Sequence, residues 1–194
     1  MQAVKEASRM TSNNTGDGSQ WAAQLKELRA DLGVSKAFQP FDSLERVIVG
    51  LQVTPRVKGI LNWVVATKLK EAQLGVADRP GKVSRAFVLG CIDKTFIDVS
   101  QNPCRKAYTP RHGTNHTMTT VTQLVHLGAM RVVLPAEQFY FQGHNPGRVQ
   151  FPDVSNKTLR ELAGEGMFLG SLGTLVWALH LLGAFNVEDH GDAR

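Results

Sequence analysis

Nineteen consecutive residues, Met167 to Phe185 ("MFLGSLGTLVWALHLLGAF"), contain no Asp, Glu, Lys or Arg. A stretch of that composition has to leave water, and only two environments accept it. Nineteen residues can span a bilayer as a helix, here as a tail anchor. A helix apolar all round is also what a buried core helix, or one shared between subunits, looks like. His180 lies inside the run, and Gly170, Ser171, Gly173, Thr174 and Gly183 lower its hydropathy. The acidic "NVEDHGDAR" follows it, with no aromatic or basic belt of the kind that marks a membrane interface. The expectation is therefore a buried helix, inside the subunit or at a subunit contact, rather than an anchor.

The remainder reads as α+β, with helical N- and C-terminal parts flanking a central region of short strands. Residues 1–19 are rich in Ser, Thr, Asn and Gly and read as a flexible arm with no signal-peptide core. Residues 20–194 read as a single globular domain, with a hinge at 75–82. Trp21, Leu25, Leu28 and Leu32 repeat at helical spacing and Gly33 closes the helix. In "FDSLERVIVGLQV", Asp42 and Glu45 match a capping box and Leu44, Val47, Ile48 and Leu51 an apolar face, so a second helix is expected. A third opens with Thr54 as cap and Pro55 in its first turn and runs to Gly75 on the stripe Val57, Ile60, Leu61, Val64 and Leu69.

After the hinge, "RAFVLGCI", "TFIDV", "MRVVL", "QFYF" and "RVQF" read as strands, the first two as a hairpin around Asp93-Lys94. "TMTTVTQLVHLG" reads as a helix ending at Gly128, because Met118, Val121, Leu124 and Val125 follow helical spacing. Asn156 is the expected cap of "KTLRELAGEG".

Charge is distributed unevenly. Residues 75–150 hold nine Lys/Arg against four Asp/Glu, whereas residues 151–194 hold three against six. A basic centre suits a polyanion. It is densest in the proline-broken loop "CRKAYTPRHGTNH", with Arg105, Lys106, Arg111, His112 and His116 around Tyr108. Lys and Arg neutralise phosphates, and a tyrosine can stack on an unpaired base. The competing reading is an ordinary solvated loop. His112 and His116 stand four apart, but Pro110, Gly113 and Asn115 make a loop of the segment, so surface histidines outweigh a metal site. Cys91 beside His112 or His126 is the one candidate nucleophile, set against an inert core thiol, and phosphate-loop, dinucleotide and G-x-S-x-G patterns are absent. No cofactor and no small-molecule substrate is expected. Two cysteines are too few for a disulfide framework.

Two stretches resemble known patterns. Glu137 to Gly143, "EQFYFQG", resembles the cleavage site of potyvirus-type cysteine proteases. Far from either end of the chain, it reads first as a native strand with Phe139 and Phe141 facing a core, and second as an engineered or processed site. Val149, Phe151, Pro152 and Asp153, with Leu181, Leu182, Ala184 and Phe185, resemble the V-x-F-P-D segment and L-L-x-A-F helix end of coat proteins from rod-shaped and filamentous plant RNA viruses. The resemblance implies a self-assembling RNA-binding protein of a virion or the cytoplasm, a homo-oligomer or filament on single-stranded RNA. Where that family carries arginines beside these motifs, this chain has Gln150 and Asn186 to Asp189. RNA contact then falls to Arg105, Lys106, Tyr108, Arg111, His112 and Arg148. The alternatives are a tail-anchored membrane protein using residues 167–185 and a small hydrolase.

Overall fold

The computed structural model describes residues 18–72, 84–109, 118–145, 148, 153–166 and 169–182. The fold is α+β: among the described residues, six α-helices accompany one small three-stranded antiparallel sheet. The chain forms two compact units, Met1–Val133 and Leu134–Arg194. The expected hinge at 75–82 and the "RVQF" strand, apart from Arg148, lie outside the described residues, as does nearly all of the N-terminal arm.

The first unit is built around one helix. Helix α1, Gly18–Asp31, buries Leu25 and Leu28 and rests Trp21 and Leu32 on the core, the expected stripe. Gly33 ends it at φ 67°, a left-handed conformation that glycine adopts without steric cost. Helix α2, Pro55–Glu71, starts as the sequence predicts: the Thr54 side chain accepts from the Val57 N–H at 3.3 Å and Pro55 occupies the first turn. Every residue from Ile60 to Leu69 is buried. Asn62 is held in the interior by hydrogen bonds, accepting from Phe41 N at 2.9 Å and donating to Asp42 Oδ1 at 3.1 Å and the Lys58 carbonyl at 3.1 Å.

Those bonds help explain why the second expected helix does not form. Asp42 is held by Asn62 and by Lys58, 3.1 Å away, instead of capping a helix. Only a 3-10 turn, Asp42–Leu44, appears, closed by Glu45 at φ 50°. Further along, Val49 makes a parallel bridge with Arg131: Val49 N donates to Met130 O at 2.9 Å and Val132 N to Val49 O at 3.0 Å. Leu44, Ile48 and Leu51 are buried, but Val47 is 79% exposed. The apolar spacing fits both conformations, and pairing with the sheet decides between them.

"RAFVLGCI" is helix α3, Arg85–Ile92, not a strand. The Ser84 side chain caps it, accepting from Phe87 N at 3.2 Å, and the buried residues Val88 and Ile92 are one turn apart. The sheet follows, with β1 Phe96–Asp98, β2 Leu124–His126 and β3 Arg131–Val132 in that order. Ile97 faces Val125, and Val125 faces Val132. The helix expected over Met118–Gly128 is therefore a turn leading into β2, in which Thr122 Oγ1 accepts from Thr119 N at 2.7 Å. Gly128 belongs to the β2–β3 turn: a Cβ there would lie 2.0 Å from the Asp93 carbonyl oxygen.

The second unit is helical. "EQFYF" lies in helix α4, Pro135–Phe141, which corrects the strand expected there. The inward residues are Gln138 and Gln142, while Tyr140 is exposed and Phe139 and Phe141 are only half-buried. Helix α5, Asn156–Glu165, packs on α4 and buries Leu159 and Ala163. Its cap is Ser155, whose Oγ accepts from Thr158 N at 3.1 Å, one residue before the expected Asn156. Helix α6, Leu169–Leu181, follows at a bend of 43°. Gln142 holds the elbow. Its side-chain amide donates to the Ala163 and Gly166 carbonyls, and its own carbonyl accepts from Leu169 N at 2.8 Å. A protease cannot read this stretch as an extended exposed loop while α4 is folded.

Candidate nucleic-acid interface and assembly helix

The turn carrying Arg105 and Lys106 is held from both ends. On the incoming side the buried Asp98 carboxylate accepts from Ser100 N at 2.9 Å, Ser100 Oγ at 2.6 Å and Gln123 N at 3.0 Å. Arg56, in the first turn of α2, donates to three successive carbonyls: Val99 at 3.1 Å, Ser100 at 3.3 Å and Gln101 at 2.7 Å. Burial lowers the pKa of this guanidinium from its ordinary value, and the Asp98 carboxylate opposes that shift. Asn102 then caps the 3-10 turn Pro103–Arg105 by accepting from Cys104 N at 2.9 Å. Lys106 sits at φ 50° and turns the chain back. The return leg is fastened by Asp98 N to Ala107 O and Thr109 N to Phe96 O, both 2.8 Å. Pro103 and Ala107 are buried, which leaves Cys104, Arg105 and Lys106 exposed at the tip.

Tyr108 does not share that exposure. It packs edge-on against Trp63 with ring centroids 5.4 Å apart, and the Lys68 ammonium sits 5.3 Å from its ring. Burial raises its phenol pKa, with the Glu71 carboxylate adding to the shift. The half-buried ring packs against the core. Arg111, His112 and His116 lie outside the described residues. Arg148 is exposed but belongs to the second unit. Arg105 and Lys106 are thus the two expected contacts that share one described surface. Arg56, Asp98 and Asn102 are the residues that sequence reasoning missed. Of these only Asn102 carries a signal, the Asn-Pro turn dipeptide.

Cys91 is half-buried on α3, and burial pushes its thiol pKa up, the reverse of what a thiolate nucleophile requires. His126 is stacked on Phe96 at 4.3 Å with Nε2 2.9 Å from the Asp93 carbonyl. Among the described residues no group of three or more His, Cys, Asp or Glu side chains could hold a metal ion.

Of the two burials expected of it, inside the subunit or at a subunit contact, helix α6 does not show the first. None of its residues is buried. Leu175 is 50% exposed, Trp177 63%, and Leu182 just past its end 81%. Among the described residues no single helix is long and apolar enough to cross a membrane, and α5 with α6 form a bent pair that meets the test only together.

The chain matches no protein-family model, no characterised protein and no solved structure.

Proposed function

We propose that this chain is a structural protein that self-assembles and binds single-stranded RNA through phosphates, of the viral coat or nucleocapsid type. The observation that carries the reading is α6: a helix free of charged residues, none of whose side chains is buried within its own unit. Exposed apolar surface on this scale marks an interaction site. The basic, exposed turn at Arg105 and Lys106 supplies phosphate contacts, and the V-x-F-P-D and L-L-x-A-F segments add the coat-protein resemblance. Further copies of the chain and RNA are its partners, in a virion or the cytoplasm.

The test is size-exclusion chromatography of full-length protein without detergent, reading the 260/280 nm absorbance ratio before and after nuclease. A large species with high 260 nm absorbance that nuclease removes is the expected result. A nucleic-acid-free monomer would sink the reading. The second reading is a membrane anchor, favoured by the bent α5–α6 pair. Lys157, Arg160, Glu161 and Glu165 on α5 weigh against it, because each is costly in hydrocarbon. Protein soluble only with detergent would reverse that order.

A further inference from the structure

Residues 137–143, "EQFYFQG", have the form E-x-φ-Y-φ-Q-G, which potyvirus-type cysteine proteases cut after the glutamine. Such a protease takes its substrate as an extended, exposed segment. The fold withholds that form at the bond to be cut. Gln142 is 4% exposed. Its side chain is clasped to the Ala163 and Gly166 carbonyls, and its main-chain carbonyl, the group to be attacked, accepts from Leu169 N at 2.8 Å. Gly143 follows at φ 85°. Gly143 N donates to Tyr140 O at 3.0 Å and His144 N to Phe139 O at 3.1 Å, which closes the end of α4. Glu137 is engaged as well, its Oε2 accepting from Leu134 N at 2.8 Å. Tyr140 and Gly143 already face water.

The closed form is weakly held. Helix α4 has seven residues, well short of the ~12–15 that sustain a helix alone. It turns inward Gln138 and Gln142, and each buries a side-chain carbonyl oxygen that accepts no hydrogen bond among the described residues. Opening the elbow returns both oxygens to water, which offsets part of its cost.

We infer that residues 137–143 are a latent cleavage site, at which a cysteine protease reading E-x-φ-Y-φ-Q-G hydrolyses the Gln142–Gly143 bond when the elbow around Gln142 opens. The protease thiolate adds to the Gln142 carbonyl carbon, the C–N bond breaks, and Gly143 leaves as an amine that takes its proton from the protease. Water then splits the thioester, leaving a carboxylate on Gln142 and restoring the thiol. The two products differ in chemistry. Residues 1–142 hold 18 Lys/Arg against 11 Asp/Glu and keep Arg105 and Lys106, whereas residues 143–194 hold 4 against 6 and carry α5 and α6. Cleavage parts the basic turn from the apolar helix. The inference goes beyond the self-assembly reading and does not depend on it.

The test treats the full-length chain with a recombinant potyvirus-type cysteine protease and follows fragments of 142 and 52 residues by intact mass. A synthetic peptide of residues 135–145 is the unfolded reference. Gly166→Ala releases the clasp without touching the seven residues: a Cβ there would lie 2.8 Å from both Nε2 and Oε1 of Gln142, and φ −69° suits alanine. The wild-type chain should be cut at least about tenfold more slowly than the peptide. Gly166→Ala should be cut about 5- to 30-fold faster than wild type, the factor for one or two hydrogen bonds lost from the closed form. An uncut peptide would overturn the site itself. Wild type cut as fast as the peptide, or Gly166→Ala cut no faster than wild type, would overturn control by the elbow. A chain that proves monomeric leaves all of these outcomes readable, so failure of the self-assembly reading is told apart from failure here.

Discussion

Helices α2 and α6 are both rich in Leu and Val, yet they end in opposite environments. Helix α2 carries Arg56, Lys58, Lys68, Lys70 and Glu71 and still buries every residue from Ile60 to Leu69. Helix α6 carries no Asp, Glu, Lys or Arg and buries none. The charges of α2 are accommodated individually: Arg56 donates to three loop carbonyls, and the Lys68 ammonium reaches Glu71 at 2.8 Å. Around α2 the first unit supplies cover through Leu25 and Leu28 of α1, Val88 and Ile92 of α3, and the sheet. In the second unit α4 and α5 use their inward residues on one another. What buries a helix is therefore the cover the chain provides, and its own apolarity states only the demand.

Truncating a large side chain puts the contrast between α2 and α6 under the greatest load. Leu61→Ala in α2 should cost about 2–5 kcal/mol of unfolding free energy by urea titration, as expected for a cavity in a closed core. Leu175→Ala in α6 should change the urea stability of a dilute, dissociated chain by less than about 0.5 kcal/mol. Equal costs would mean that α6 is covered within the chain. Gly128→Ala should destabilise the first unit by about 1–3 kcal/mol, because backbone at Asp93 has to move. A neutral result in thermal unfolding would contradict the close approach in the β2–β3 turn.

Gln142→Ala probes the second unit by itself. It removes the side-chain donor from the Ala163 and Gly166 carbonyls and should cost about 1–3 kcal/mol locally. Hydrogen exchange should rise at Gly166 and Leu169 and stay unchanged along α2. Arg105→Ala with Lys106→Ala should leave unfolding unaltered and reduce the salt slope of single-stranded RNA binding by about 1.4, roughly 0.7 for each phosphate no longer neutralised. An unchanged slope would remove this turn from the interface.

The weakest effect is expected on pH dependence. Tyr108 has a folded pKa raised mainly by burial, so its contribution is complete below the ordinary phenol value near 10 and is lost as pH rises through the raised one. Tyr108→Phe should therefore flatten the alkaline limb of the stability curve and leave the neutral region unchanged in slope. An unaltered alkaline limb would mean that the phenol is not desolvated.

The elements that the sequence reveals are those with a stop or start signal beside a clear stripe. Gly33 after Leu32, and Thr54-Pro55 before Val57, locate α1 and α2. Where the apolar pattern fits two periods, reading fails. "RAFVLGCI" is a short apolar run that periodicity alone cannot assign, and the deciding signal is its cap, Ser84. The stripe from Leu44 to Leu51 fits a helix, but Val49 bridges to Arg131 of β3 through main-chain groups that no side-chain pattern encodes. In α4 the residues turned inward are glutamines, and aromatic alternation misleads. Of the candidate interface, Arg105 and Lys106 are legible as basic residues in a proline-broken loop. Arg56 is not, because the carbonyls it holds lie 43 to 45 residues along the chain.

The decisive quantity is the solution mass of the full-length chain, measured by light scattering without detergent and after nuclease treatment, over a range of concentrations. Under the proposed self-assembly through α6, species larger than a monomer that persist without RNA and grow with concentration are predicted. A stable monomer at every concentration would contradict the claim that α6 is an assembly surface.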